Sequence, residues 1–551
     1  MRYSFTCAHI CIKDKKLNTV KLNLNNQDLE VDPNINLIQV AKNAGVEIPH
    51  YCYHSGLSVA GNCRMCLVEV EGMPKPVIAC NTRIMDGMKV RTETDVIKKA
   101  RQEVLEFLLV NHPLDCPVCD QAGECGLQNY YMEVGQYQAT FFENKVKKKK
   151  AQVVGTNIML DSERCILCSR CVRFCDEITK TNELGIVDRG HHSEIILNPG
   201  SFLENNYAGN VVDICPVGAL TDKDFRFQMR VWYLKETPSI CPGCSKGCNI
   251  EIHTSPERRR HSAEGHRVIR LKPRENPQVN QWWMCDTGRY AYKSIDASNR
   301  IKEPVYQKNN ITWEKAFEVL KQSLDLQKSI YVLLNPGLTL EDLFSAKTFF
   351  NTLGIQNITA NIPIGKEKGD GFLLQADRTP NRNGTKILNL HEGLALNEII
   401  TLARSGKINI LYNCGVDLES HLSSTELKEL SNKINFKIYQ GTHTNSSSEL
   451  SDLILPSAVY AEKEGHFVNM DMRLQRIHRA ILPLDESKAD WEIFTQLLFH
   501  FKITSSLMDL LQLQRELISQ KPMLKGLDQE EFPEQGMLLD ISQPSLASVG
   551  I

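Results

Sequence analysis

Of the 19 cysteines in this chain, 18 fall within residues 1–285, and most of them stand at short, fixed spacings. Four sets have the density of a metal site. The first is Cys52-x10-Cys63-x2-Cys66-x13-Cys80. Four thiolates satisfy a [2Fe–2S] cluster, two per iron, and the His50–Asn62 loop, with Gly56 and Gly61, can turn N–H groups toward sulfur. Structural zinc also accepts four cysteines, though usually as two C-x2-C pairs where this set has one. The plant-type ferredoxin has four residues between its first two ligands, so this set is a cousin of that pattern.

The second set is His112-x3-Cys116-x2-Cys119-x5-Cys125. Three thiolates leave one corner of a [4Fe–4S] cubane open, and the imidazole of His112 can fill it; a zinc site with the same four ligands is the alternative. An imidazole in place of a thiolate leaves the cluster less negative and raises its potential. The third set is Cys165-x2-Cys168-x2-Cys171 with a distant Cys215-Pro216. In the bacterial ferredoxin pattern the near fourth cysteine serves the other cluster, so the distant Cys-Pro completes this one. Cys175 has no second set to serve and reads as a bystander. The fourth set is Cys241-x2-Cys244-x3-Cys248-x36-Cys285, with Gly243 and Gly247 permitting tight turns between ligands. It again suits a [4Fe–4S] cubane. The pair Cys7-x3-Cys11 reads as part of a loose terminal segment.

The elements that position these sets follow from periodicity. Residues 18–92 read as short strands around one helix carrying Leu37, Val40, Ala41 and Ala44, stopped at Gly45. A second helix presents Val96, Ile97, Ala100, Val104 and Leu108 and ends before Pro113. The lysine-rich stretch GQYQATFFENKVKKKKAQVV reads as a solvated linker and a domain boundary. The runs flanking the fourth set read as strands, and the basic RRRHSAEGHRVIRLKPREN between its ligands as a hairpin surface. Beyond Cys285, helices at WEKAFEVLKQSLDL and LEDLFSAKTFFNTLG alternate with strands at SIYVLLNPG, KINILYN, NFKIYQG and SDLILPS, which implies an α/β domain with a largely parallel sheet. The last ~30 residues, with Pro522, Pro533 and Pro544, read as a poorly packed tail.

With 551 residues, 42% hydrophobic and 24% charged, the chain is a multidomain globular protein, and a net charge of −2 gives no basic footprint for nucleic acid. No apolar run approaches the ~20 residues of a membrane span, so any membrane association goes through a partner. The N-terminal MRYSFTCAHICIKDKK has neither a signal core nor a presequence pattern, which makes a cytosolic compartment the expectation. Neither G-x-G-x-x-G nor G-x4-G-K-[ST] occurs, so no dinucleotide or nucleoside-triphosphate site is expected. Four one-electron sites without an accompanying catalytic set make a relay.

The order of the motifs NHPLDCPVCDQAGECGLQ, RCILCSRC, VDICPVGAL and SICPGCSKGCNI resembles the large iron–sulfur subunits of NADH-quinone oxidoreductase, respiratory complex I, over essentially residues 18–551. The resemblance implies an α+β and α/β multidomain fold. Its parts would be a [2Fe–2S] ferredoxin-like (β-grasp) domain at 17–95, a helical [4Fe–4S] domain with one histidine and three cysteine ligands at 96–135 and a ferredoxin-type [4Fe–4S] domain at 136–235. A [4Fe–4S] domain of molybdopterin-oxidoreductase type at 236–292 and a related α/β region at 293–551 would follow. It implies one [2Fe–2S] cluster at Cys52, Cys63, Cys66 and Cys80. Three [4Fe–4S] clusters would lie at His112, Cys116, Cys119 and Cys125, at Cys165, Cys168, Cys171 and Cys215, and at Cys241, Cys244, Cys248 and Cys285. NADH and FMN would sit on a partner subunit, and electrons would leave through quinone-side iron–sulfur subunits, with proton translocation coupled elsewhere in the complex. The intact fourth set points to a bacterial member, peripheral on the cytoplasmic side of the inner membrane. SDLILPSAVYAEKEGHFVNMDMRLQ resembles the molybdopterin oxidoreductases. No molybdopterin is expected, because no cysteine lies between Cys285 and Cys414 and the region is short. The alternative is a cluster-bearing catalytic subunit of an NAD-linked formate dehydrogenase; an iron hydrogenase would need further cysteine motifs.

Overall fold

A computed structural model describes residues 19–255, 265–324, 329–503 and 509–540. Cys7, Cys11, Pro544 and the tip of the basic hairpin lie outside the described residues. By internal packing the chain forms two units that meet in sequence at Arg226 and Phe227.

The first unit begins with a five-stranded mixed sheet. Val20–Leu24 pairs antiparallel with Gln27–Val31 and parallel with Met88–Arg91, which in turn pairs with Leu67–Val70 and through it with Val77–Ile78. The helix Leu37–Asn43 crosses this sheet, capped by Asn36 and Gln39, and Gly45 ends it in a left-handed turn. Leu22, Leu24, Leu37, Ala41, Val68 and Val90 form the core between them. This is a β-grasp ferredoxin architecture.

The helix Asp95–Leu109 stops, as its sequence predicts, ahead of Pro113. Its buried face differs from the expected stripe. Ile97, Arg101 and Leu105 point inward at i, i+4 spacing, and Val96 is exposed. The guanidinium of Arg101 goes under the sheet, Nη2 to Leu67 O at 3.3 Å and Nη1 to Glu93 Oε1 at 3.3 Å, so a polar residue occupies a core position with both ends of its fork in use. The lysine-rich stretch also departs from a free linker. Lys145 Nζ donates to Leu109 O and Val110 O at 2.7 and 2.9 Å, taking the open carbonyls of that helix end. Lys150 pairs with Asp115 at 2.6 Å and Glu163 at 2.7 Å. The run is largely exposed but works as a strap.

The second unit opens with the antiparallel strands Lys235–Ile240, Asn249–Thr254 and Val268–Pro273, the expected hairpin frame of the fourth set. Five parallel strands follow, in spatial order Leu453–Pro456, Phe436–Gly441, Ile410–Cys414, Ile330–Leu334 and Ile358–Thr359. Helices Trp313–Ser323, Leu340–Thr352 and Asp490–His500 pack a core of Leu320, Val332, Phe349, Phe350, Tyr412 and Phe494 against the sheet. The chain through residue 540 is not a loose tail. Met537–Leu538 pairs with Arg473–Ile477, and Leu524, Leu527 and Leu539 are buried, because apolar residues between the prolines reach the core.

Candidate functional site

The hairpin Leu67–Val70/Val77–Ile78 sets Cys66 beside Cys80 at its open end, with Ala79 N donating to Cys66 O at 2.9 Å. The four thiols of this set divide into two hydrogen-bonded pairs, Cys52 with Cys63 and Cys66 with Cys80. The hydrogen bond from Cys63 outweighs burial and lowers Cys52 to about 5, helped by the N–H groups of Cys63 and Asn62 and by Arg173. The Cys80 thiol, against the cost of burial, likewise lowers Cys66. Two pairs of neighbouring thiols match a cluster of two irons that takes two cysteine ligands on each.

His112 stands just past the end of helix Asp95–Leu109 and lines one cleft with Cys116 and Cys125. Burial first, then the charges of Arg164 and Lys145, lowers His112 to about 4, so its imidazole is neutral at pH 7 and free to ligate. Cys125 caps the N-terminus of helix Gly126–Val134; burial raises it to about 11 while the Gln128 and Leu127 N–H groups pull it down. Cys119 is buried and Cys116 exposed.

One cavity is lined by Cys165, Cys168, Cys171 and Cys215, with Leu160, Ile195 and Val217 around them. Burial raises Cys165 to about 12 and Cys168 to about 11, and it raises Cys171 and Cys215 as well. Several buried thiols whose ionised forms repel one another need a positive group between them to become thiolates. Arg170 Nε, in the wall of this cavity, is a buried donor without a protein acceptor. Both observations fit an iron–sulfur cluster. Cys175 does not line the cavity. It lies on the turn Phe174–Ile178, where burial and then Glu183 raise it to about 12.

In the second unit Cys241, Cys244 and Cys248 occupy the loop between strands Lys235–Ile240 and Asn249–Thr254, closed by Cys241 N to Cys248 O at 2.9 Å. Cys285 sits at the start of helix Asp286–Arg289, and Gly288 N donates to its Sγ at 3.4 Å. A Cβ on Gly288 would come within 2.9 Å of Cys241 Sγ, so the turn closes on the thiols only as glycine. Burial raises Cys241 to about 12 and Cys285 to about 11.

The three sets of the first unit touch through their own loops. Arg173 Nη2 donates to Cys52 O at 2.5 Å and Cys168 O at 3.4 Å, and Asn62 Nδ2 to Leu167 O at 3.2 Å. Gly126 N, next to Cys125, donates to Pro216 O, next to Cys215, at 2.9 Å. A Cβ on Gly218 would lie 2.3 Å from Cys119 Sγ. The rings of Tyr51 and Tyr130 meet edge to face at 5.4 Å.

Sequence reasoning missed these connectors. The signal for Arg170 and Arg173 was present in CSRCVRFC, where two cations stand among the ligands. It also missed the left-handed residues Arg64, Leu167 and Ser169, with φ of 60°, 54° and 62°, which curl the ligand loops. Glu236, Glu251 and His253 also bring three ligand atoms within 4.8 Å. There Arg270 Nε donates to His253 Nδ1 at 3.3 Å, which leaves Nε2 to carry the proton toward Glu251, so the cluster is a hydrogen-bonded clamp.

Five family models match along the chain. They are a 2Fe-2S iron-sulfur cluster binding domain (18–95), the NADH-ubiquinone oxidoreductase-G iron-sulfur binding region (101–139) and the ferredoxin-like domain of NADH-quinone oxidoreductase subunit 3 (155–221). The molybdopterin oxidoreductase Fe4S4 domain (234–297) and molybdopterin oxidoreductase (364–499) follow. The NADH-quinone oxidoreductase G-subunit of Rickettsia bellii is 30% identical over 92% of this chain and 90% of that protein. The chain belongs to the family of large iron–sulfur subunits of NADH-quinone oxidoreductase. The NADH-ubiquinone oxidoreductase 75 kDa subunit of Reclinomonas americana is 37% identical over 76% of this chain and 59% of that one. Membership makes the chain an iron–sulfur electron-transfer subunit with 2Fe-2S and 4Fe-4S centres, working inside a multisubunit oxidoreductase.

Proposed function

We propose that this chain carries electrons from a flavin-bearing, NADH-oxidising partner toward quinone-side iron–sulfur partners, with proton translocation coupled elsewhere in the complex. Cys52, Cys63, Cys66 and Cys80 would hold one [2Fe–2S] cluster. His112, Cys116, Cys119 and Cys125 would hold a [4Fe–4S] cluster, as would Cys165, Cys168, Cys171 and Cys215, and Cys241, Cys244, Cys248 and Cys285. When bound, such clusters take up and release single electrons with little rearrangement. The protein's part is to fix their positions, exclude water and set their charge environment. The observation that carries this reading is the direct contact between ligand loops in the first unit, through Arg173, Asn62, Gly126 and Gly218.

The five segments 17–95, 96–135, 136–235, 236–292 and 293–551 are the domains this reading assigns. The last would hold no molybdopterin. In an open α/β sheet a ligand sits beyond the carboxyl ends of the strands, where strand order reverses. Here that point lies between Ile330–Leu334 and Ile410–Cys414, whose ends Asn335 ties together by donating through Nδ2 to Gly415 O at 2.5 Å and through N to Cys414 O at 3.0 Å. Alongside, Asp490 receives Gln440 Nε2 at 2.7 Å, Ser457 Oγ at 2.6 Å and Lys463 Nζ at 2.8 Å. These self-satisfied contacts support the reading without a pterin.

No described helix is long and apolar enough to cross a membrane. Attachment to the cytoplasmic face of a bacterial inner membrane would therefore run through partner subunits. The test is metal analysis and EPR on the anaerobically purified complex. The four clusters of this chain should contribute about 14 iron atoms and matching acid-labile sulfide per complex, in addition to those of its iron–sulfur partners, with no molybdenum. Stoichiometric zinc in place of iron defeats the relay, and stoichiometric molybdenum defeats the pterin-free reading of the last segment.

A further inference from the structure

The cavity lined by Cys165, Cys168, Cys171 and Cys215 has a cationic side chain in its wall, Arg170. Both ends of its guanidinium fork are fixed by backbone. Nη1 donates to Ile214 O at 3.1 Å, and Nη2 donates to Tyr53 O. Ile214 immediately precedes Cys215 and Tyr53 immediately follows Cys52, so one planar group spans the ligand loops of two sets. The remaining donor, Nε, is buried and meets no acceptor in the protein. The neighbouring Arg173 differs at this point, since its Nε is taken by Ser169 Oγ at 3.2 Å. A buried N–H without an acceptor is costly, and where one lines a cavity built for another group, that group is its natural partner.

We propose that Arg170 donates its Nε–H to sulfur of the cluster held by Cys165, Cys168, Cys171 and Cys215, and thereby sets that cluster's potential above the value its four thiolates alone would give. The inference rests on the ligand reading above. A one-electron reduction adds one negative charge to the cluster, and hydrogen bonds to sulfur together with a nearby cation favour the more negative state. The same side chain ties Tyr53 to Ile214, so the group that tunes one cluster also fixes its loop against that of the [2Fe–2S] set. Lysine would keep the charge but not the fork, which makes it an intermediate replacement.

The test is a potentiometric EPR titration of the intact complex carrying Arg170→Met or Arg170→Lys, with iron content measured alongside. Arg170→Met should keep its iron and shift the electron-sharing equilibrium between this cluster and the [2Fe–2S] cluster about tenfold toward the latter, which is about 59 mV for a one-electron couple. Arg170→Lys should shift it in the same direction by less. If Arg170→Met does not load the cluster, a lowered midpoint in Arg170→Lys supports the proposal and an unchanged one overturns it. An unchanged midpoint in a loaded Arg170→Met, or loss of the cluster from both variants, also overturns it. Cys215→Ala separates the two failures. If that variant keeps the EPR signal, the ligand reading is wrong. If it loses the signal while a loaded Arg170→Met stays unshifted, only the role of Arg170 is wrong.

Discussion

The ligand loops of the first unit and the parallel sheet of the second solve the same problem, burying polar groups, in opposite ways. Around Cys165 and Cys215 the thiols are all raised by burial, and the cations nearby, Arg170 among them, do not offset it. Around Asp490 one buried cation and two buried carboxylates partner one another within the chain. Lys463 reaches Asp342 at 2.6 Å and Asp490 at 2.8 Å, and it is pushed up by those two carboxylates although burial opposes this. The first arrangement is incomplete as protein and the second is complete. A cavity whose donors are unsatisfied is a place for a cofactor, and a buried network whose polar groups already partner one another is core. The molybdopterin-oxidoreductase match at 364–499 speaks for the fold, and the chemistry has to be read from the side chains.

The widest break in that comparison comes from the thiols. Replacing Cys215 by Ala removes a donor from the incomplete cavity, and we expect loss of one [4Fe–4S] EPR signal and of most NADH-to-quinone flux. Cys175→Ala should leave both nearly intact, since Cys175 faces Glu183 rather than the cavity. The reverse outcome would reassign the site. On the completed side, Lys463→Met leaves Asp342 and Asp490 buried without a counter-ion, which costs about 3–5 kcal/mol. Faster hydrogen exchange in Ile410–Cys414 and Phe436–Gly441, with unaltered EPR signals from the first unit, is the expected result. Unchanged protection would mean that the ion network does not hold the sheet.

This contrast also separates what the sequence made legible from what it hid. Cysteine spacing is local information, and the sheet strands announced themselves as short apolar runs, so Ile330–Leu334, Ile410–Cys414 and Phe436–Gly441 fall where expected. Arg101 was hidden because an apolar stripe was assumed to be the buried face, and only the sheet above it supplies the carbonyl that accepts its donors. Lys145 and Lys150 were hidden because a run of like charges resembles a solvated linker, and their partners Leu109, Asp115 and Glu163 lie 13 to 36 residues away. Asn335 and Lys463 have partners more remote still. Long-range polar pairing has no periodicity and leaves no trace in a single sequence.

A finer break uses His112. Burial and the charges of Arg164 and Lys145 keep its imidazole neutral down to about pH 4. Replacing His112 by Cys should retain the cluster at Cys116, Cys119 and Cys125 but lower its potential, because a thiolate adds negative charge. A redox titration showing the wild-type potential and spectrum would return His112 to a structural role.

The smallest expected effect concerns Lys145, where the first unit behaves like the second and satisfies its own polar groups. Its Nζ takes two carbonyls at the end of helix Asp95–Leu109, three residues before His112, and a cation there also suits the negative end of the helix dipole. Lys145→Ala removes the charge and both hydrogen bonds and leaves those carbonyls to water, since the helix end is only half-buried. The cost should be about 1 kcal/mol. It should appear as faster hydrogen exchange confined to the last turn of that helix, with His112 still ligating and the potential of its cluster little changed. If instead the cluster were lost, the strap would be a condition for assembling the His112 set, and the line between the thiol loops and the self-satisfied core would have to be drawn on the other side of Lys145.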